Sequence, residues 1–332
     1  MKSMTKEVRH ILAALLLGTF VPAGPAELPA RKPAIDEAVH LETATGTLHG
    51  TLILPGGTPP HPVALIIAGS GPTNRDGNSA FVPGRNDSLK MLAESLAAHD
   101  IASVRYDKRG VAQSASAAPQ EIDLRFDMFV EDAAVWVQQL QADPRFSTTT
   151  LVGHSEGALI GLIAARRARA DAFVSIAGAA HRASELLRDQ LRPRLSPELW
   201  RESERILVEL EAGRTTAKVP AALSALYRPS VQPYLISWFR YVPSEEILHL
   251  RIPILIAHGT TDIQVATAEA HALKQAKAEA DLFLIEGMNH VLKTVSADAA
   301  AQQRSYSDPT LPVTPALVEK MARFIKSVPR KP

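Results

Sequence analysis

The chain has 332 residues, of which 46% are hydrophobic and 21% are charged, and its formal net charge at pH 7 is +1. This composition predicts a globular protein with a sizeable core. Because Lys and Arg are scattered rather than clustered, neither nucleic acid nor anionic lipid is an expected partner. The chain has no cysteine, which excludes disulfides, thiolate nucleophiles and zinc–thiolate sites.

Residues 1–26 carry the pattern of a secretory signal peptide. Basic residues precede the apolar run 11–21, and small residues follow it at 23–26. The alternative is a buried N-terminal helix, but the prolines that follow the run favour a cleavage region and a linker over 27–37. The run is also short for a bilayer span. We therefore predict an exported protein, periplasmic or secreted, with no stable membrane anchor once the signal is removed.

The predicted mature chain begins with a hairpin whose strands cover 38–43 and 47–54. The apolar run 63–68 then ends in Gly69-Ser-Gly71, which is typical of a strand buried on both faces of a parallel sheet. A helical pattern follows at 89–96. Further strand patterns occur at 101–106, 149–152, 172–177, 253–258 and 282–285, with helical patterns at 126–140, 158–168, 266–280 and 315–326.

Strand and helix alternate in this way over 38–180 and 251–332. The alternation predicts an α/β fold with a doubly wound, mostly parallel sheet and an antiparallel hairpin at one edge. The interval 181–250 lacks a strand pattern but has helical stretches and several aromatic residues. We predict that it forms a helical cap inserted over the carboxyl edge of the sheet. The alternative for its aromatic residues is a small core of their own.

The stretch Gly153-His-Ser-Glu-Gly157 lies between a predicted strand and a predicted helix. A serine on so sharp a turn is exposed above the sheet, and a β-carbon at either flanking position would clash with the neighbouring chain. The first amides of the helix would stabilise a developing oxyanion. We therefore predict that Ser155 is a nucleophile on an elbow formed with Gly153 and Gly157. The alternative is a tight turn with an idle serine.

A serine nucleophile needs a general base and a group that orients the base. In this architecture the acid and then the histidine follow the serine, each after a later strand. Asp262 and His290 occupy those positions, and we predict that they complete a catalytic triad with Ser155.

Other residues compete for these two roles. His154 adjoins the serine but should point away from it, and His258 lies at a strand end where packing is expected. His181 is the best rival base, although no acid precedes it in the required order. Asp107 ends an earlier strand and is expected to be structural.

The loop 69–78 follows the first crossover strand, where a second oxyanion donor is expected. We predict that the backbone amides of Ser70 and Glu156 form the oxyanion hole. The loop lacks the third glycine of a dinucleotide fingerprint. Nor does it fit a calcium loop, because Ser79 and Arg85 replace the required glycine and glutamate. We therefore predict no metal or organic cofactor, and we expect Arg75 and Asp76 to hold the loop in place.

With these residues, the sequence resembles the α/β-hydrolase superfamily, in particular its serine aminopeptidase-like and lysophospholipase-like branch, over nearly all of the mature chain. The stretch 106–114 is similar to the D-x-R-G-x-G-x-S stretch of that branch, with Ala112 where the family usually has glycine. Residues 262–265 and 289–290 match its acid and histidine loops. The loop 69–78 is similar to that of exported bacterial hydrolases in the branch.

This resemblance implies hydrolysis of carboxylic esters. We therefore predict a serine hydrolase of the carboxylesterase type (EC 3.1.1) that cleaves small-molecule esters with small to medium acyl groups through an acyl-enzyme. The alternative is a serine aminopeptidase or amidase on short peptides, in which Glu198, Glu202 or Glu245 of the cap would bind the substrate amine. A ligand-binding receptor without turnover is a third interpretation. The acyl chain length, the natural substrate and the oligomeric state stay open.

Overall fold

A computed structural model describes residues 32–118 and 120–329. In this part of the chain, eight strands form one sheet in the order β1-β2-β4-β3-β5-β6-β7-β8. The strands are β1 Lys32–Thr43, β2 Gly46–Gly56, β3 His61–Ile67, β4 Ala102–Tyr106, β5 Phe146–His154, β6 Ala172–Ile176, β7 Ile254–Gly259 and β8 Asp281–Ile285. The predicted signal peptide, residues 1–26, lies outside the described residues.

The strand pairing confirms the predicted α/β fold. Strand β2 pairs antiparallel with both β1 and β4, and every other neighbouring pair is parallel. Strand β1 begins at Lys32, earlier than residue 38, where the sequence predicts the first strand, so residues 32–37 of the predicted linker belong to the sheet.

Helices cover both faces of the sheet and fill the interval between β6 and β7. They are α1 Ser88–Ala98, α2 Phe126–Ala142, α3 Glu156–Ala168, α4 Ala183–Leu191, α5 Pro197–Glu211, α6 Ser224–Tyr227, α7 Gln232–Trp238, α8 Pro243–Glu246, α9 Thr267–Ala276, α10 Ala299–Ser305 and α11 Pro315–Ser327. Short 3-10 helices occur at Ala112–Ala117, Glu121–Asp123, Ala221–Leu223 and Ile247–His249. None of the helices described here is both long and apolar enough to cross a membrane.

Two apolar layers enclose the sheet. In β3, Val63, Leu65 and Ile67 join the layer that contains α2 and α3, whereas Ala64 and Ile66 join the layer that contains α1 and α11. This division follows from the strand geometry, because successive side chains point to opposite faces. A strand between two helical layers therefore has to be apolar at every position, which is why its continuous apolar run could be identified in the sequence.

The interval 181–250, predicted as the cap, contains α4 to α8 and a third apolar cluster. This cluster includes Ile206, Leu210, Tyr227 and Phe239. Helix α5 has a clear local origin, since the hydroxyl of Ser196 accepts a hydrogen bond from the Leu199 amide at 3.3 Å and proline follows at the first helical position. Some aromatic residues of the interval thus form a small core, as the alternative interpretation expected.

Candidate active site

The turn between β5 and α3 holds Ser155 in an unusual backbone conformation, with φ 55° and ψ −121°. A Cβ at Gly153 would lie 2.2 Å from the carbonyl oxygen of Gly157, and a Cβ at Gly157 would lie 2.3 Å from the carbonyl oxygen of Ile67. Only glycine fits at both flanking positions. The backbone strain is therefore concentrated at the serine, as is common at functional sites.

A cavity of about 740 Å³ opens beside this turn. Its lining includes Ser155, His290, Ser70 and Glu156. The structure therefore brings the candidate nucleophile, the candidate base and both candidate oxyanion residues to one cavity, although they lie on three separate segments, after β3, β5 and β8. A volume of this size suits a small organic ligand.

Asp262 lies behind His290 and is almost inaccessible, with 1% of its side chain exposed. Its Oδ2 is 2.8 Å from His290 Nδ1, and its Oδ1 accepts hydrogen bonds from the amides of Gln264 and Val265. Burial alone would raise the pKa of Asp262, but His290 and the two amides outweigh it, so its pKa lies below the usual value. Since an ionised carboxylate only accepts, His290 Nδ1 carries a proton, and in the neutral ring Nε2 is then the proton acceptor.

His154 supports the loop that carries His290. Its Nε2 lies 2.8 Å from the backbone carbonyl oxygen of His290, and the two ring centroids are 4.8 Å apart. Because a carbonyl oxygen only accepts, Nε2 of His154 is the donor. Burial, and then the nearby His290, lower the pKa of His154 to about 3. This imidazole is therefore neutral at ordinary pH, and its contact is structural.

The other two rival histidines differ in their surroundings. His258 is fully buried, and its Nε2 donates to the carbonyl oxygen of Val265 at 2.9 Å. His181 lines the cavity, and its Nδ1 is 2.8 Å from Glu269 Oε1, which raises the pKa of His181. Sequence order offered no acid as a partner for His181, but in the structure Glu269 of α9, later in the chain, is that partner. His181 is 53% exposed, whereas only 6% of the His290 side chain is accessible.

The loop after β3 is held to the sheet by two predicted residues. Arg75 donates from Nε and Nη2 to Asp107 Oδ2 at 3.1 and 2.7 Å, and Asp76 accepts from Arg105 at 2.9 Å. Asp107 is therefore structural, as expected. The side-chain oxygen of Asn74 accepts hydrogen bonds from the backbone amides of Asp76 and Asn78. Over residues 32–118 and 120–329, no group of three or more acidic or histidine side chains is arranged to hold a metal ion.

The stretch 106–114 connects several parts of the site. Lys108 donates to the carbonyl oxygen of Gly69 and to Glu156, while Arg109 forms two 2.6 Å hydrogen bonds with Asp132. Sequence reasoning missed Lys108, because it occupies the variable position of D-x-R-G and carries no signal of its own. Ala112, which stands where the resemblance has glycine, adopts a φ of 44°. This is the left-handed region that favours glycine.

The helical interval supplies much of the remaining cavity wall. Phe81 of the loop after β3 lines the cavity, and so do several apolar side chains of α4 and α7. The side chains from these two helices are Leu186, Leu187, Tyr234, Leu235 and Trp238. Glu198, Glu202 and Glu245, the candidate amine-binding residues, are not among the lining residues. The lining carboxylates, Glu121 and Glu156, are each paired with a cation.

Comparison with known proteins agrees with this architecture. Residues 76–220 match the model of the S33 serine aminopeptidase family. Two solved structures, both 18% identical, share the fold with TM-scores of 0.59: Est1E from Butyrivibrio proteoclasticus with ferulic acid bound (87% of this chain, 100% of that one) and the α/β hydrolase GrgF from Penicillium sp. sh18 (89% and 99%). The chain therefore has the α/β-hydrolase fold.

A curated relative of this chain is Esterase EstD of Thermotoga maritima. The two are 27% identical over 248 residues, which cover 74% of this chain and 58% of EstD. The aligned region thus spans less than two thirds of EstD. As in other proteins with this fold, the serine lies on a strand-to-helix turn, and the acid and histidine follow later strands, here β7 and β8.

Proposed function

We propose that this α/β-hydrolase is a serine hydrolase that cleaves carboxylic esters with small to medium acyl groups through an acyl-enzyme. The observation that carries the proposal is the buried 2.8 Å contact between Asp262 and His290, together with the fact that His290 and Ser155 line the same cavity. The similarity to EstD, which is named an esterase, and the bound ferulic acid of Est1E support a carboxylic ester as the substrate class.

In the proposed reaction, Ser155 Oγ attacks the ester carbonyl carbon while His290 Nε2 takes the hydroxyl proton. The amides of Ser70 and Glu156 receive the negative charge of the tetrahedral intermediate, and removal of one such donor typically costs about 10²- to 10³-fold in kcat. The imidazolium, stabilised by Asp262, then protonates the leaving alcohol. In the second half of the reaction, His290 accepts a proton from water, the water oxygen attacks the acyl carbon, and the acid is released as Ser155 regains its proton.

The cavity wall also favours an ester with an apolar acyl or alcohol part. We further propose that residues 181–250 form the cap of the site, because α4 and α7 within this interval contribute apolar residues to the cavity wall. The match to the S33 family favours a serine aminopeptidase as the second candidate. That reaction would require a carboxylate for the substrate amine, and both carboxylates of the lining are already paired.

A substrate panel tests the assignment. Purified protein should hydrolyse a p-nitrophenyl acyl ester series faster than aminoacyl anilides, and a fluorophosphonate probe should label it at Ser155. The Ser155→Ala variant is the control, and it should lose both turnover and labelling. Folded wild-type protein that neither labels nor hydrolyses any ester would support a ligand-binding receptor instead. Faster anilide hydrolysis would support the aminopeptidase.

We also propose that the protein is exported. The support is the charged, apolar and small-residue pattern of residues 1–26. Expression of the full chain in a bacterial host, followed by fractionation and mass measurement, tests this. Export predicts a periplasmic or secreted protein that has lost these residues, and deletion of 1–26 should leave the protein in the cytoplasm. Retention of the full-length protein in the cytoplasm would contradict the proposal.

A further inference from the structure

The side chain of Lys108 connects the two backbone segments that carry the proposed oxyanion amides. Its ammonium donates to the carbonyl oxygen of Gly69 at 2.6 Å and to Glu156 Oε2 at 2.7 Å. Gly69 directly precedes Ser70, and Glu156 directly follows Ser155. Only 3% of the Lys108 side chain and 1% of the Glu156 side chain are exposed. One buried cation therefore contacts both halves of the proposed oxyanion hole.

The bond to Gly69 fixes the direction of a neighbouring donor. The Gly69–Ser70 peptide is trans and planar, so its carbonyl and its N–H point in opposite directions. Fixing the carbonyl oxygen on Lys108 thus also fixes the N–H of Ser70. Without such a restraint the peptide could rotate, because glycine permits many backbone conformations. The peptide lies beside the candidate nucleophile, since a Cβ added to Gly69 would be 3.2 Å from Ser155 Cβ.

The surroundings hold the ammonium in place. Glu156 Oε1 accepts a hydrogen bond from the Tyr234 hydroxyl, so both carboxylate oxygens are used. The Phe129 ring lies on another side of the ammonium, with its centroid 5.4 Å from Nζ. Burial of an ammonium and a carboxylate is costly, and an apolar pair of similar volume is often at least as stable. A contribution to stability therefore does not account for the pair.

We propose that Lys108 is a positioning residue for the oxyanion hole. Its hydrogen bond to Gly69 holds the Ser70 amide in the orientation that receives the oxyanion, and Glu156 holds Lys108. This inference rests on the proposed ester hydrolysis. Loss of an oxyanion donor typically costs about 10²- to 10³-fold in kcat, and a donor that is present but poorly oriented should cost part of that, about 10- to 100-fold.

The test compares Lys108→Met, Glu156→Gln and the double variant. The single Lys108→Met change leaves the Glu156 carboxylate buried without its cation and is expected to lower stability. The double variant removes both charges at nearly constant volume, so it should fold. It should nevertheless keep a 10- to 100-fold deficit in kcat with KM changed less than about threefold, because its Gly69 carbonyl is no longer held.

A control is the ion pair of Arg188 with Glu211, since neither residue lines the cavity or pairs with Gly69 or Glu156. The Arg188→Met/Glu211→Gln variant also removes one cation and one carboxylate, yet its kcat should stay within about threefold of wild type. If Lys108 only neutralises Glu156, the double variant Lys108→Met/Glu156→Gln will recover wild-type kcat. That recovery would overturn the inference.

A second measurement reports on the oxyanion hole directly. A trifluoromethyl ketone forms a hemiketal oxyanion with the serine, so its affinity should fall in the Lys108 variants in parallel with kcat/KM. Binding of the product alcohol should not change. The pH dependence of kcat/KM should also be unchanged, because the contact between His290 and Asp262 is intact. An unchanged ketone affinity contradicts the inference alone, whereas a wild-type protein without esterase activity or Ser155 labelling contradicts the proposed function as well.

Discussion

His154 Nε2 donates a hydrogen bond to the backbone carbonyl oxygen of His290, so the residue before the candidate nucleophile holds the loop of the candidate base. Burial, and then the nearby His290, lower the pKa of His154 to about 3, so the imidazole is neutral while it makes this contact. In the unfolded chain a histidine takes up a proton below about pH 6.5. The unfolded state therefore binds more protons than the folded state between these two values, and stability falls as the pH falls.

The first prediction concerns this pH dependence. Between pH 7 and pH 5, the wild-type free energy of unfolding should fall by about 2 kcal/mol more than that of His154→Gln, in which the amide group replaces the imidazole donor. Urea unfolding followed by circular dichroism at both pH values measures the difference. Equal losses in the two proteins would show that His154 titrates normally in the folded state.

The second prediction separates His290 from His181, the best rival base. His290→Gln should lower kcat/KM for an ester by at least about 10³-fold, because the proposed base is removed. His181→Gln should lower it by less than about tenfold, since His181 is more exposed and is held by Glu269. Steady-state kinetics of both variants at one pH, with circular dichroism to confirm folding, provides the comparison. The reverse order of effects would move the base to His181.

The third prediction concerns Ala112, whose φ of 44° is costly for a residue with a Cβ. Ala112→Gly should raise the free energy of unfolding by about 0.5–1 kcal/mol, because relief of this strain exceeds the entropy that glycine adds to the unfolded state. The control is Ala115→Gly, at an exposed position in the same 3-10 helix without a positive φ. That change should be destabilising. Urea unfolding of both variants gives the signs, and a loss of stability in Ala112→Gly would refute the strain argument.

The fourth prediction compares two tyrosine hydroxyls in the helical interval. Tyr234 donates to the buried carboxylate of Glu156, whereas Tyr227 shares a 2.9 Å hydrogen bond with the Ser203 hydroxyl. Burial, and then the Glu156 charge, raise the pKa of Tyr234 well above its usual value, so the hydroxyl stays protonated. Tyr234→Phe should cost about 2 kcal/mol of stability and Tyr227→Phe about 1, since hydrogen bonds to charged groups are stronger.

Kinetics extends the tyrosine comparison. Tyr234→Phe should also lower kcat, because it loosens the carboxylate that holds Lys108, whereas Tyr227→Phe should leave kcat unchanged. Thermal or urea unfolding and steady-state kinetics of both variants provide the two readouts. Equal stability losses with identical kcat values would indicate that the Tyr234 hydroxyl has no special connection to the site.

The predicted sheet agrees with the structure because its strands are buried on both faces, which leaves continuous apolar runs such as 63–68 in the sequence. The places of Asp262 and His290 followed from chain order and strand ends. Side-chain pairs that form only when separate elements pack together could not be predicted from the sequence. Glu269 contacts His181 from a helix later in the chain, and Lys108, after β4, contacts Glu156, after β5, although β3 lies between these two strands. Sequence spacing also gave no sign of helix α10 or of the early start of β1.

Different segments of the chain provide the apolar wall of the cavity and the residues proposed to react. The residues proposed to react come from the ends of strands β3, β5, β7 and β8, while α4 and α7 of one contiguous insertion provide a large part of the wall. Substitutions of wall residues such as Leu186 and Leu187 should change which molecules fit and leave the proposed triad in place, whereas Tyr234 is an exception because its hydroxyl binds Glu156. The shape of the cavity and the proposed bond cleavage thus depend largely on different segments of the chain.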